Sequence, residues 1–264
     1  MKLLLAGVAA AALVWLALLA ALYAFQERLI FQPVKLAPTH RFALDPDVHE
    51  RWIEVPGARL HTLHLQSAEP RGVVFSLHGN AGNLGNWFTD VALYRQRGFD
   101  LFMLDYRGYG KSEGRIESEA QLHADVRAAW DAIAARYAGR KRVVLGRSLG
   151  SALAARLAAD VQPDLLVLVS PYTGMGALAT LHYPWVPRAL LRYPLRTDAA
   201  LAAVRSPVLL VHGERDDFIP AAHSVALQRL VPASRLAIVA GAAHNDLENF
   251  PAYFEAIASA LDAV

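Results

Sequence analysis

RVVLGRSLG, residues 142–150, sets a strand-forming run, Val143, Val144 and Leu145, against Gly146. Ser148 follows with a glycine two positions away on either side. The next residues, SALAARLAA from Ser151 to Ala159, are rich in Ala and Leu, with apolar residues spaced for a helix that buries one face. Strand, Gly-x-Ser-x-Gly turn and helix, in that order, is the setting in which a serine becomes a nucleophile. The reason is steric: the apex residue of so sharp a turn takes a strained backbone conformation, and the flanking glycines leave room for neighbouring backbone. Ser148 is then expected at the C-terminal end of its strand. The free N–H groups and the dipole at the start of the following helix would face its oxyanion. An ordinary turn with a serine N-cap uses the same residues, so the rest of the chain must supply partners.

The surrounding chain has the pattern of an α/β protein. Apolar runs at Val73–Leu77, Phe99–Leu104, Val143–Leu145, Leu165–Val169, Val208–Val211 and Leu236–Val239 read as strands buried on both faces. Helical patterns at Trp87–Arg97, Glu117–Tyr137, Ala152–Ala159 and Ala221–Leu230 separate most of them. Arg51–Val55 and Leu60–Gln66, divided by Pro56-Gly57, read as an antiparallel hairpin. Alternating strands and helices predict a mostly parallel sheet of about eight strands flanked by helices, with functional loops at the strands' C-terminal ends.

Three of those ends carry the residues that Ser148 needs. Val73–Leu77 runs into His78-Gly79-Asn80-Ala81-Gly82-Asn83, a loop able to turn backbone N–H groups towards a carbonyl oxygen. Losing one such donor costs ~2.7–4 kcal/mol of transition-state stabilisation, so acyl transfer requires a loop of this kind. Val208–Val211 runs into HGERDDFIP, which offers Asp216 and Asp217, and Leu236–Val239 into AGAAHND, which offers His244. Serine, acid, histidine is the chain order of alpha/beta hydrolases. Gly110-Lys111-Ser112 is no phosphate loop, because Asp105 stands where the first glycine belongs.

Composition narrows the rest. The chain has 264 residues, 55% hydrophobic, with no cysteine and a formal charge of +2. That is enough to bury one substantial core, and it removes disulfides and thiolate chemistry. Lys and Arg are scattered rather than striped, so no nucleic acid partner is expected. Leu3–Phe25 is apolar and uncharged. Spanning a bilayer takes ~20 residues, whereas the apolar part of a signal peptide takes ~7–15 and ends in small residues. The expectation is therefore a membrane anchor at residues 1–26, a proline-marked linker at 27–50 and a globular domain at 51–264. The positive-inside signal is weak, with Lys2 on one side and Arg28 and Lys35 on the other. A single N-terminal anchor followed by a long domain puts that domain on the extracytoplasmic side.

From about Trp52 onward the chain resembles an alpha/beta hydrolase. LHGNAGNLGNW, LDYRGYGKSEG, GRSLG, SPYTGM and HGERDDFIP together resemble the membrane-anchored ABHD branch of depalmitoylases and lysophospholipid lipases, and its bacterial relatives with an N-terminal anchor. ERLIFQP, residues 27–33, fits the same branch. The resemblance implies cofactor-free, metal-free hydrolysis at a bacterial inner membrane. It also implies Ser148 as nucleophile, Asp216 as the orienting acid, His244 as base, and the N–H groups of Asn80 and Leu149 as oxyanion hole. Asp216 is preferred to Asp217 because His212-Gly213-x-x-Asp216, with Pro220 four further on, matches the family spacing. Arg147, in the elbow's second position, departs from the His, Tyr or Glu of many relatives.

His78 and His212, each before a glycine at a strand end, are expected to be structural, and His61 and His64 lie on the hairpin. Asp105 is expected to bond loop backbone and Arg107. An apolar, aromatic insertion at 172–206, including Tyr172, Tyr183, Trp185 and Tyr193, reads as a short helical lid that either lines an acyl pocket or packs on the core or membrane. The expected substrates are esters or thioesters, lipid-like or acylated. A serine peptidase or amidase would use the same triad, and a non-catalytic scaffold would be expected to have lost one of its members. Dehalogenases and epoxide hydrolases put Asp where Ser148 stands. Nothing in the sequence sets the oligomeric state.

Overall fold

The computed structural model describes every residue from Met1 to Val264. Eight strands form one sheet: β1 Val48–Val55, β2 Ala58–Leu65, β3 Gly72–Leu77, β4 Phe99–Leu104, β5 Lys141–Arg147, β6 Leu165–Val169, β7 Val208–Gly213 and β8 Arg235–Val239. Their spatial order is β8-β7-β6-β5-β3-β4-β2-β1. The β1–β2 and β2–β4 pairs are antiparallel and all others parallel. This is the alpha/beta hydrolase fold.

The apolar runs are strands because both faces of the sheet are covered. Val73, Phe75, Leu77 and Val144 point into one core, with Leu122, Val126 and Trp130 of α5 (Glu119–Ala134) and Leu153 and Leu157 of α6 (Leu149–Val161). Val74, Val143 and Leu145 point into a second core, with Tyr94 of α4 (Val91–Gln96) and Tyr253, Ile257 and Leu261 of α10 (Pro251–Asp262). Each fully buried side chain of this kind contributes ~1.5–3 kcal/mol, so a polar residue at these positions is heavily disfavoured.

The helices differ from expectation in detail. The stretch expected as one helix from Trp87 to Arg97 is two, α3 (Leu84–Trp87) and α4, with Asn83 capping the first by accepting from Gly85 N at 2.8 Å. The α10 helix was not expected from the sequence, although Pro251 at its first turn and the Tyr253–Ile257–Leu261 spacing announce it.

The N-terminal segment forms α1, Lys2–Ala24, with only Leu19 buried. Its 23 residues reach ~35 Å, more than the ~30 Å hydrocarbon core of a bilayer. Residues 27–50 are fastened rather than loose. Phe31 lies in the core against Tyr193, Gln32–Pro33 pair with Ala81–Gly82, and Lys35 bridges to Gly110. The sheet begins at Val48, inside the stretch expected as linker.

Candidate active site

β5 ends at the elbow. Ser148 has φ 50° and ψ −119°, a backbone state that costs of order 1–3 kcal/mol and persists only where the surroundings enforce it. They do so here by crowding. A Cβ at Gly146 would fall 2.3 Å from Gly150 O, and one at Gly150 only 2.1 Å from Leu77 O. The Ser148 N–H donates to Val169 O at 2.9 Å, and its own carbonyl accepts from Ser151 Oγ at 2.6 Å.

Three loops converge on the elbow. His244, from the loop after β8, lies with Nε2 3.1 Å from Ser148 Oγ and Nδ1 2.7 Å from Asp216 Oδ2. A carboxylate only accepts, so Nδ1 carries the proton and Nε2 is left to accept from the serine. All three side chains are buried. Asp216 itself is held from three directions: Ile219 N donates to Oδ1 at 2.7 Å, and His212 Nε2 lies 3.3 Å from Oδ2, opposite His244. Burial alone would raise its pKa; the hydrogen bonds from His212, His244 and Ile219 outweigh burial and keep the carboxyl far below the ordinary range. Asp217, its neighbour, is exposed.

The loop after β3 closes the other side. A Cβ on Gly79 would sit 3.7 Å from Ser148 Cβ and 2.8 Å from the Trp87 ring, so this loop passes directly over the serine. The Asn80 N–H has no partner in the chain. Leu149 is the first residue of α6, where an N–H has no intrahelical acceptor. The Asn80 carbonyl, by contrast, is doubly held, by Tyr109 Oη at 2.7 Å and Gln32 N at 2.9 Å, and Tyr106 Oη donates to His78 O at 2.9 Å. Sequence reasoning missed these clamps. The two tyrosines of LDYRGYG, three residues apart, were the available signal.

Arg147 ties two of the loops together. It is buried, donates through Nη2 to His244 O at 3.2 Å, pairs with Glu248, and stacks 5.3 Å from the centre of the Trp87 ring. Burial lowers its pKa, and Tyr253, Asp90 and Asp216 act against that.

The remaining expectations divide. His212 is structural, accepting from Ser224 Oγ at 2.6 Å and donating to Ile219 O at 2.7 Å. His78 donates to Gly79 O at 2.7 Å, and burial lowers its pKa. Asp105 accepts from Leu84 N at 3.0 Å, as expected for a loop-bonding acid. It does not hold Arg107, which forms a two-pronged pair with Asp125 on α5, at 2.5 and 2.9 Å, because the guanidinium turns outward from the loop towards that helix. The insertion holds α7 (Met175–His182), a 3-10 turn and α8 (Thr197–Leu201). A cavity of 650 Å³ lies under Phe42, Leu84 and Phe88, and a smaller one beside Arg147; no residue of the insertion lines either. Leu181, Tyr183 and Trp185 of the insertion are exposed. No group of three or more His, Asp or Glu side chains converges as a metal site.

Comparison with known proteins agrees with the fold. A family profile described as serine aminopeptidase, S33, matches residues 68–197, a span that includes Ser148 and stops short of Asp216 and His244. An uncharacterized protein of Mycobacterium tuberculosis is 37% identical over 182 residues, 66% of this chain and 63% of that protein. Human alpha/beta hydrolase domain-containing protein 17B is 32% identical over 182 residues, 67% of this chain and 62% of that protein. The chain therefore spans less than two thirds of the curated relatives it matches. The solved esterase of Pyrococcus furiosus superposes with a TM-score of 0.71 at 17% identity, covering 89% of this chain and 97% of that one. By its strand order, its serine elbow and these relatives, the chain belongs to the alpha/beta hydrolase superfamily and is of the ABHD type.

Proposed function

We propose that the chain is a serine hydrolase that cleaves carboxylic esters or thioesters. The observation that carries this reading is His244 bridging Ser148 and Asp216, with unpartnered Asn80 and Leu149 N–H groups beside the serine. In the reaction His244 Nε2 takes the Ser148 proton as Oγ attacks the acyl carbon, and Asp216 holds the imidazole tautomer. The carbonyl oxygen becomes an anion facing the two N–H groups. His244 returns the proton to the departing alcohol or thiol, and a water activated by the same histidine hydrolyses the acyl-enzyme. The Pyrococcus furiosus neighbour is named an esterase, which agrees with this reading.

A second reading is an amidase or peptidase with the same residues, favoured by the serine aminopeptidase description of the matching profile. An amide leaving group needs protonation by His244 before it departs, whereas a thiolate does not, so a panel of ester, thioester and amide probes separates the two. Fluorophosphonate labelling tests the core of the proposal: the wild-type chain labels, and Ser148→Ala does not. Full labelling of that variant sinks it.

We also propose that α1 anchors the protein in a bacterial inner membrane, with the hydrolase domain on the extracytoplasmic side. Its length and exposure support a span. A C-terminal reporter active only in the cytoplasm overturns the sidedness.

A further inference from the structure

We infer that the tip of the insertion, Leu181–Trp185, is a docking surface for the lipid bilayer that α1 enters, so that the mouth of the Ser148 site opens onto that membrane. The inference rests on reading α1 as a membrane span.

Exposure is the first observation. Leu181, Tyr183 and Trp185 are 50%, 53% and 48% exposed, three large apolar side chains within five residues. Leaving such a cluster in water is unfavourable, and it marks a surface that meets something apolar.

The second observation identifies the occupant. The chain immediately after α1 is clipped to the same insertion. Gln26 donates through Nε2 to Leu190 O at 3.0 Å and accepts from Arg192 N at 2.8 Å. Glu27 pairs with Arg192 at 2.5 Å and accepts from Tyr193 Oη at 3.0 Å. Arg192 also lies 5.6 Å from the centre of the Tyr23 ring, on the last turn of α1. If α1 spans the bilayer, this end of it lies at the interface, and the clip holds the insertion at that level. Tyr23, Phe25, Tyr183 and Trp185 then form an aromatic set of the kind that sits among lipid headgroups, with Arg28 and Arg188 exposed beside them for anionic lipids. A second copy of the chain would satisfy the apolar tip but would not account for its attachment to the end of the span.

The third observation links the surface to the chemistry. His182, at the tip, stacks on Phe218 with ring centres 5.5 Å apart and bonds Phe218 O at 2.9 Å. Phe218 in turn packs edge-on against His244 at 5.1 Å. One side chain separates the docking tip from the proposed base. The docking tip and the proposed base are thus joined by two successive aromatic contacts.

The chain contains no cysteine, so a single introduced thiol gives a unique label. Full-length Tyr183→Cys carrying an environment-sensitive fluorophore is reconstituted into phosphatidylcholine and phosphatidylglycerol vesicles, with or without spin-labelled lipid. Glu69→Cys, in the turn before β3 at the opposite end of the parallel strands, is the comparison. The expected result is flotation of both proteins with the vesicles, and loss of most emission to the spin label at position 183 with little loss at 69. Flotation with equal quenching at both positions overturns the docking surface. A blue shift at 183 without quenching overturns it in favour of a protein partner. Failure to float overturns both the anchor and the inference. Combined Leu181→Ser, Tyr183→Ser and Trp185→Ser substitution should lower turnover of a vesicle-embedded long-chain ester relative to a soluble short one; an unchanged ratio counts against docking. If wild type cleaves neither ester, the hydrolase reading fails while the quenching result still decides the surface.

Discussion

The Arg147 guanidinium donates to the main-chain oxygen of His244 at 3.2 Å, so the residue beside Ser148 holds the loop that carries His244. The same side chain pairs with Glu248, four residues beyond His244. Arg147→Met should lower kcat by roughly 10- to 100-fold, the scale of a misplaced catalytic group, with KM moved less. Arg147→Lys keeps the charge but not the fork, and should recover only part of the loss. Steady-state kinetics on a soluble ester measure both, and a kcat equal to wild type in Arg147→Met shows that the bridge does not position His244.

Asn80 is held on the side away from its free N–H by its carbonyl, which accepts from Tyr109 Oη and Gln32 N and so fixes the backbone that carries that N–H. Tyr109→Phe should reduce kcat by about 5-fold, the equivalent of one ordinary hydrogen bond of ~1 kcal/mol. Combined with Gln32→Pro, which removes the second donor, the loss should grow. Removal of residues 1–25 should leave soluble-ester turnover intact, whereas removal through Lys35 should not. Equal activity of the two truncations would show that the 32–33 segment does not support the loop.

Gly150 is fixed by approach of backbone. A Cβ there would lie 2.1 Å from Leu77 O and 2.6 Å from His78 O, both main-chain atoms that cannot rotate away. Gly150→Ala should destabilise the fold by roughly 3 kcal/mol or more and displace the loop that follows β3. Urea denaturation reads the first effect, and fluorophosphonate labelling rate in the remaining folded protein the second.

Arg107, on the loop after β4, and Asp125 of α5 form a buried two-pronged ion pair, and the Asp125 bond raises the Arg107 pKa. Asp125→Ala strands the guanidinium and should cost about 3–5 kcal/mol by denaturation, with little change in turnover per folded molecule. A stable Asp125→Ala would show that water replaces the carboxylate.

His64 sets an acid limit to stability. It is buried in a chain running from Gln66 through His64 and Tyr137 to Asp100, and burial pulls its pKa from 6.5 to about 3. The unfolded chain binds a proton there that the folded chain refuses. Stability is therefore complete above pH 6.5 and falls as pH drops towards 3, by at most about 5 kcal/mol at ~1.4 kcal/mol per pH unit. His78 and His223, whose pKa values burial also lowers, act in the same direction. Asp216, shifted down, adds a loss only at the far acid end. Melting temperature against pH should show a shallower acid slope in His64→Gln, and an identical slope would assign the effect to the other histidines.

What the sequence by itself determined is what local sterics and periodicity control. Apolar runs such as Leu165–Val169 read as doubly buried strands, and Gly146, Ser148 and Gly150 as a turn between strand and helix, and the packed structure has both. The order Ser148, Asp216, His244 on three strand ends followed, as did their meeting at one edge of the sheet. Asp216 rather than Asp217 was chosen there by family spacing alone. The structure supplies a physical reason, because Ile219 N–H and His212 cradle one carboxylate and leave its neighbour in water. Long-range contacts were decided only in three dimensions: Arg107 turning to Asp125, Gln32 holding Asn80, Arg147 holding His244, and Gln26 clipping Leu190 across 164 positions. No local pattern encodes such pairs, because each depends on where the packed sheet and helices bring distant loops, and that is set by the burial of the whole core rather than by any stretch within it.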